Sequence, residues 1–272
     1  MVDKEAGWKS LKKTCINEKE RVFIVVMLLL IPSVWHVAFA QSGDFSFTAD
    51  RPGVATGTDV LNKGLFQWEV GAAYDRTDND DAVMHGYTFC NSLFRYGLTN
   101  TAELRLELNG VYEHSKGTDR TGLAPVIVGT KVKLYDSDNW LPTTSLLATL
   151  ALPLGTKGFR PNNVAPALYL LFANNLTEKL CLDYNVGLEW DGEDAGQTVF
   201  AAACLGYSFN DTFGAFVESY NYFPRHGKAE WNADCGVTVQ VAPRVQLDLS
   251  GAMNLNHIGD MYGVSLGVAW TF

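Results

Sequence analysis

The chain has 272 residues, 47% of them hydrophobic and 12% aromatic, with a formal net charge of −9. That length fits one large domain or two small ones, and the acidic balance excludes nucleic acid as a natural partner, because a surface of this sign repels phosphate. The cysteines are scattered singly with no C-x-x-C pair, so no zinc or redox motif is present and no cofactor is expected.

At the start, a basic stretch with Lys12, Lys13, Lys19 and Arg21 leads into the apolar run Val22 to Ile31 and then Ala38-Phe39-Ala40. Charged, apolar, then small-x-small is the order of a secretory signal. The apolar run is shorter than the roughly 20 residues a membrane-spanning helix needs, so a cleaved signal over residues 1–40 is predicted. Its removal leaves a net charge of about −11.

Residues 41–64 follow, with Asp50, Arg51, Pro52, Gly53 and Gly57 among them. This is too irregular for a strand. The favoured expectation is a segment hanging in the periplasm. The other is a plug folded back into a lumen, in which case Asp50 or Arg51 should pair with lumen charges.

From Leu65 onward the chain repeats segments of about ten residues, apolar alternating with polar or small, the period of a strand with two unlike faces. Between Glu103 and Tyr112, the residues Leu104, Leu106, Leu108, Gly110 and Tyr112 share one face, and Glu103, Arg105, Glu107 and Asn109 share the other. No segment after residue 40 approaches 18 consecutive apolar residues. Membrane residence is therefore possible only as a barrel, with leucines toward lipid and charges toward the lumen. Twelve strands are predicted, near residues 65–75, 86–96, 102–113, 123–134, 143–152, 163–172, 179–190, 197–208, 212–222, 231–241, 244–253 and 261–272. The even number brings both ends of the barrel domain, residues 65–272, to one side. Connections alternate between tight turns, such as Gly97 to Thr101 and Phe209 to Thr212, and longer polar loops, such as Asp75 to His85 and His114 to Thr121. The former suit the periplasmic side and the latter the outer side.

The last strand carries Leu266, Val268, Trp270 and Phe272 on one face. A terminal aromatic strand of this kind resembles the signal read by the outer-membrane assembly machinery. The expectation is thus an all-β, transmembrane antiparallel barrel in the outer membrane of a Gram-negative bacterium, monomeric by default, with outer-membrane lipid and that machinery as partners.

Thr48-Ala49-Asp50-Arg51-Pro52-Gly53, followed by Gly64-Leu65-Phe66-Gln67-Trp68-Glu69-Val70-Gly71, resembles the opening of the outer-membrane transporter family named for the meta-cleavage pathway of phenol degradation. Leu150 to Gly155 and Gln246-Leu247-Asp248 are similar to later parts of the same family. The resemblance implies a barrel with a transport role, and the family's name implies passage of aromatic compounds.

On the face opposite the apolar one lie Gln67, Glu69, Glu103, Arg105, Glu107, Lys131, Lys133, Asp183, Glu189, Glu218, Asp234 and Asp248, with Arg95 harder to place. Two readings stay open. The charges select a solute, or they pair with one another and hold the barrel rigid. Twelve strands enclose more space than the eight that side chains fill and less than an open porin, so a narrow channel or transporter for small aromatic or hydrophobic solutes is expected. A structural or adhesive barrel without a pathway is the alternative.

Catalysis is disfavoured. His85, His114, His226 and His257 fall at strand ends or in outer loops, and neighbours such as His114 and Ser115 point to opposite faces of a strand. The acidic clusters Asp75, Asp78, Asp80, Asp81 and Asp191, Glu193, Asp194 lack the spacing of a calcium loop and are expected to be solvated. Cys181 and Cys204, on adjacent strands, are expected to be free rather than bridged.

Overall fold

Alternation of leucine, valine and aromatic residues with polar or small ones folds this chain into strands from end to end. The structure, a computed structural model, describes residues 47–272 apart from 80, 81, 138, 139, 194, 195 and 257. The predicted signal over residues 1–40 lies outside the described residues, as do Asp80, Asp81, Asp194 and His257. The strands are β1 (Phe66–Asn79), β2 (Ala82–Thr99), β3 (Ala102–Ser115), β4 (Thr118–Leu123), β5 (Ile127–Tyr135), β6 (Thr143–Ala151), β7 (Ala165–Asn175), β8 (Leu180–Trp190), β9 (Gln197–Ser208), β10 (Phe213–Pro224), β11 (Glu230–Ala242), β12 (Val245–Asn254) and β13 (Met261–Thr271). Each pairs antiparallel with its neighbours. The wall closes where β1 meets β13, from Gln67 opposite Thr271 to Thr77 opposite Met261. Closure leaves no free edge except the outer side of the short β4, which pairs with β3 alone, and a closed sheet is the condition for sitting in lipid.

Thirteen strands make twelve staves, because β4 and β5 both pair with β3 and together form one interrupted stave. The break is Ala124-Pro125-Val126, where proline has no N–H to give the ladder. There Gly110 faces Leu123 and Glu107 faces Ile127, so three residues oppose two. A second bulge sits beside it in β2: Phe89 faces Gly110 while Ser92 faces Leu108, with Cys90 at φ 49°. An extra residue swaps the faces of a strand. Tyr87 and Phe89 point outward before the bulge, and Phe94 and Tyr96 point outward after it.

The loops expected over Asp75 to His85 and His114 to Thr121 are instead mostly strand. β1 runs to Asn79 and β2 starts at Ala82, while β3 and β4 are joined by Lys116 and Gly117 at φ 49° and 75°, the paired left-handed conformation of a tight hairpin. The 18 residues of β2 exceed the roughly 9–11 that cross a bilayer. Its upper part therefore has water on both sides, which erases the alternation that marks a strand in sequence.

Outward residues such as Leu104, Leu168, Val217, Leu249 and Val264 remain exposed, while Gln67, Glu69, Arg95, Glu103 and Lys131 inside are at 0%. In water each large apolar side chain left uncovered would forfeit roughly 1.5–3 kcal/mol; in lipid it is solvated. At the seam the Phe272 N–H donates to the Phe66 carbonyl at 2.7 Å, and the Phe272 ring lies 4.3 Å from Trp270 and 5.6 Å from Phe66. Leu266, Val268 and Trp270 share the outward face of β13, and Gly267, Ala269 and Thr271 share the inward one.

Candidate functional site

Residues 47–64 run inside the barrel rather than outside it. Thr48 accepts hydrogen bonds from Gln67 Nε2 and Arg95 Nη1 near the short-turn end. The segment then turns inward and touches β12 and β13 through Arg51, β10 through Val54 and Ala55, and β8 through Thr56. It returns past β5 and β6 and leaves beside Gly97, whose carbonyl accepts from Gly64 N–H at 2.8 Å. An irregular segment cannot satisfy its own backbone, so the wall supplies many of the partners. Glu69 accepts from the N–H groups of Asp50 (3.2 Å) and Arg51 (2.9 Å). Glu218 accepts from those of Val54 and Ala55. Glu103 accepts from Leu61 N–H at 2.9 Å, and Asn185 makes a reciprocal pair with Thr56, 2.7 and 3.0 Å.

Charge holds the segment as well. Arg95 bridges two carboxylates, meeting Glu103 through Nε and Nη2 at 2.9 Å each and Glu69 through Nη1 at 3.1 Å. Arg105 Nη1 joins Glu103 (2.9 Å) to Asp50. Lys131 Nζ lies 3.1 and 3.2 Å from the two Asp50 oxygens and 2.9 Å from the Gly57 carbonyl. Arg51 grips Asp248 with Nε and Nη2 at 3.1 and 3.0 Å and also donates to Ser265. Its guanidinium fits only because Gly71 and Gly267 flank it: a Cβ at either would sit 2.5 or 2.3 Å from it. Lys133 reaches Asp59 of the segment at 3.3 Å and Asp136 at 3.5 Å. Burial alone would raise the Asp50 carboxyl, but the Arg95, Lys131 and Arg105 cations outweigh it and hold the group far below the usual carboxylate range.

The other inward carboxylates differ. Among the described residues Glu107, Asp183, Glu189, Glu218 and Asp234 have no cation within 4.0 Å. Glu218 and Asp234 face each other across β10 and β11, and Asp183 accepts from Cys181 Sγ at 3.7 Å. A cavity of about 190 Å³ lies between the inner wall and the segment, lined by Val54, Leu147, Tyr169, Phe200 and Tyr222 together with Arg105, Glu107 and Glu189. Glu189, Phe200 and Tyr222 stand within four residues of the long-loop ends of their strands, which places the cavity on that side of the segment.

Alternation of polar residues does not mark the inward aromatics Tyr169, Phe200, Tyr220 and Tyr222, and it leaves Arg95 harder to place. The β2 bulge obscures the face of Arg95, and an aromatic ring in a lumen reads in sequence as a lipid-facing one. Asp75 and Asp78 fall on opposite faces of β1, Asp78 bonded to Arg76 at 2.6 Å, and Glu193 accepts from Asn162. His85 bonds the Tyr74 hydroxyl at 2.9 Å and His114 bonds Asp119 at 2.6 Å. Cys181 faces Gly206, and both Cys181 and Cys204 are free thiols.

Residues 49–272 match the sequence family described as "Putative MetA-pathway of phenol degradation". No curated protein matches the chain. Among solved structures, the COG4313 outer membrane channel from Pseudomonas putida F1 superposes with a TM-score of 0.64 at 15% identity, over 81% of this chain and 99% of that one. The NanC porin gives 0.52 at 10% identity, over 75% and 98%. The translocator domain of the autotransporter NalP from Neisseria meningitidis gives 0.50 at 11%, over 79% and 91%. These likenesses establish the fold, an outer-membrane β-barrel.

Proposed function

The chain belongs to the family described as the putative MetA-pathway of phenol degradation, and from that premise we propose that it is a narrow outer-membrane channel for small hydrophobic or aromatic solutes, plugged by residues 47–64. The long loops face outward, and the last strand, with Trp270 and Phe272, is the part offered to the assembly machinery. The observation that carries the reading is the re-entrant segment, bonded to nine of the strands and bordering a cavity with an aromatic wall. A purely structural barrel has no use for a central segment that leaves an unfilled, aromatic-lined space beside it. The inner wall supplies position and charge rather than chemistry, and no residue is assigned a catalytic role.

Single-channel recording in planar bilayers tests this. The full chain should show small, infrequent openings that favour cations, because the inward carboxylates of β8, β10 and β11 lack counter-ions. A version lacking residues 47–63 should show conductance several times larger. Folded, heat-modifiable barrels that stay silent in both forms would sink the proposal.

A further inference from the structure

We propose that the cavity beside the plug selects small aromatic amines, an aryl ring joined by a short chain to an ammonium group, over neutral or anionic compounds of the same shape. The inference rests on the channel reading and names its solute more closely. Three inward rings form the apolar wall. Tyr169 on β7 and Phe200 on β9 meet edge to face at 5.7 Å, although β8 runs between them. They meet because Gly187 of β8 faces both; a Cβ there would lie 2.3 Å from the Tyr169 ring. Tyr222 on β10 continues the wall, 5.3 Å from Phe200. At about 190 Å³ the cavity is somewhat larger than the roughly 150 Å³ that accommodates benzene, which leaves space for one ring and two or three further atoms.

Charge decides what those further atoms are. The single cation lining the cavity, Arg105, meets Asp50 and Glu103 through Nη1; its Nε has no partner among the described residues, but its charge is already balanced by those two carboxylates. Glu107 accepts no hydrogen bond from any described residue, and Glu189 accepts only the Tyr169 hydroxyl, at 2.8 Å. Neither has a cation within 4.0 Å, yet both border the same space as the rings. A carboxylate in a confined, partly apolar space is costly without a counter-charge. An ammonium group supplies it, and the faces of Tyr169, Phe200 and Tyr222 attract the same charge through their ring quadrupoles. Carboxylates and aromatic faces thus converge on one class of ligand, whereas a neutral solute would leave both carboxylates without a counter-charge.

Calorimetric titration of the refolded full chain with 2-phenylethylamine, 2-phenylethanol and phenylacetate separates the cases, since the three share a ring and differ in charge. The amine should bind at least about tenfold more tightly than the alcohol, with phenylacetate weakest. Glu107→Gln and Glu189→Gln should each reduce that preference, and the double change should abolish it while the alcohol's affinity holds, which also reports that the fold is intact. Equal binding of amine and alcohol, or a preference for phenylacetate, overturns the amine assignment while leaving the channel reading standing. If none of the three binds and none enters liposomes carrying the protein, the channel reading itself fails and the inference with it.

Discussion

Arg95 stands at 0% exposure between Glu69 and Glu103, each also buried. Removing one partner of such a group strands the others without compensation, at a cost of about 3–5 kcal/mol. Arg95→Met should therefore lower the urea midpoint of the lipid-embedded barrel sharply, whereas Lys133→Ala, whose partners Asp59 and Asp136 are exposed, should cost under about 1 kcal/mol. Asp50 carries the pH prediction. Its carboxyl is held far below the usual range in the folded protein, so its stabilising effect is complete above the ordinary carboxylate pKa and is lost only as pH falls through the much lower folded value. Current through the full chain should show no increase attributable to Asp50 between pH 7.5 and pH 5, and an Asp50→Asn protein should be leaky at both. Glu69, Glu103, Arg105 and Lys131 were legible from strict alternation in unbroken strands. Arg95 was harder to place, because Cys90 adds a residue to β2 and no local motif marks a bulge whose left-handed position is not glycine.

Most strands were legible to within a few residues because the bilayer enforces alternation more strictly than water does. The same cause explains the failures: β1 to β4 continue where lipid no longer lies against their outer face, and there the pattern dissolves. The segment over residues 47–64 was visible only as an irregular stretch bearing Asp50 and Arg51. Its position depends in part on acceptors contributed by strands more than a hundred residues away, Asn185, Glu218 and Asp248 among them, and pairing at that separation leaves no local trace. Glu218 lies more than 160 residues from the segment. Truncation to alanine orphans the N–H groups of Val54 and Ala55, at about 1–3 kcal/mol each, so Glu218→Ala should raise the open probability in single-channel records severalfold. Glu218→Gln keeps one carbonyl oxygen as an acceptor and should fall between.

For the whole molecule, closure depends on the seam between β1 and β13, and Phe272 is its last contact, through both the Phe66 carbonyl and the rings of Phe66 and Trp270. Deleting Phe272 should reduce the heat-modifiable fraction recovered from outer membranes severalfold, while the protein that does fold should conduct as the full chain does. The path of the re-entrant segment has a mechanical consequence. Thr48 and Gly64 are anchored at the same mouth of the barrel, beside Gln67 and Gly97, so the segment is inserted as a finger and not passed through as a thread. Nothing must be untied or unzipped in the wall for it to leave. Tension on the chain ahead of residue 47, applied from that mouth, would peel its bonds in sequence from the Glu69 contacts inward. Work done on the chain at that mouth would thus withdraw the segment while leaving the cylinder whole.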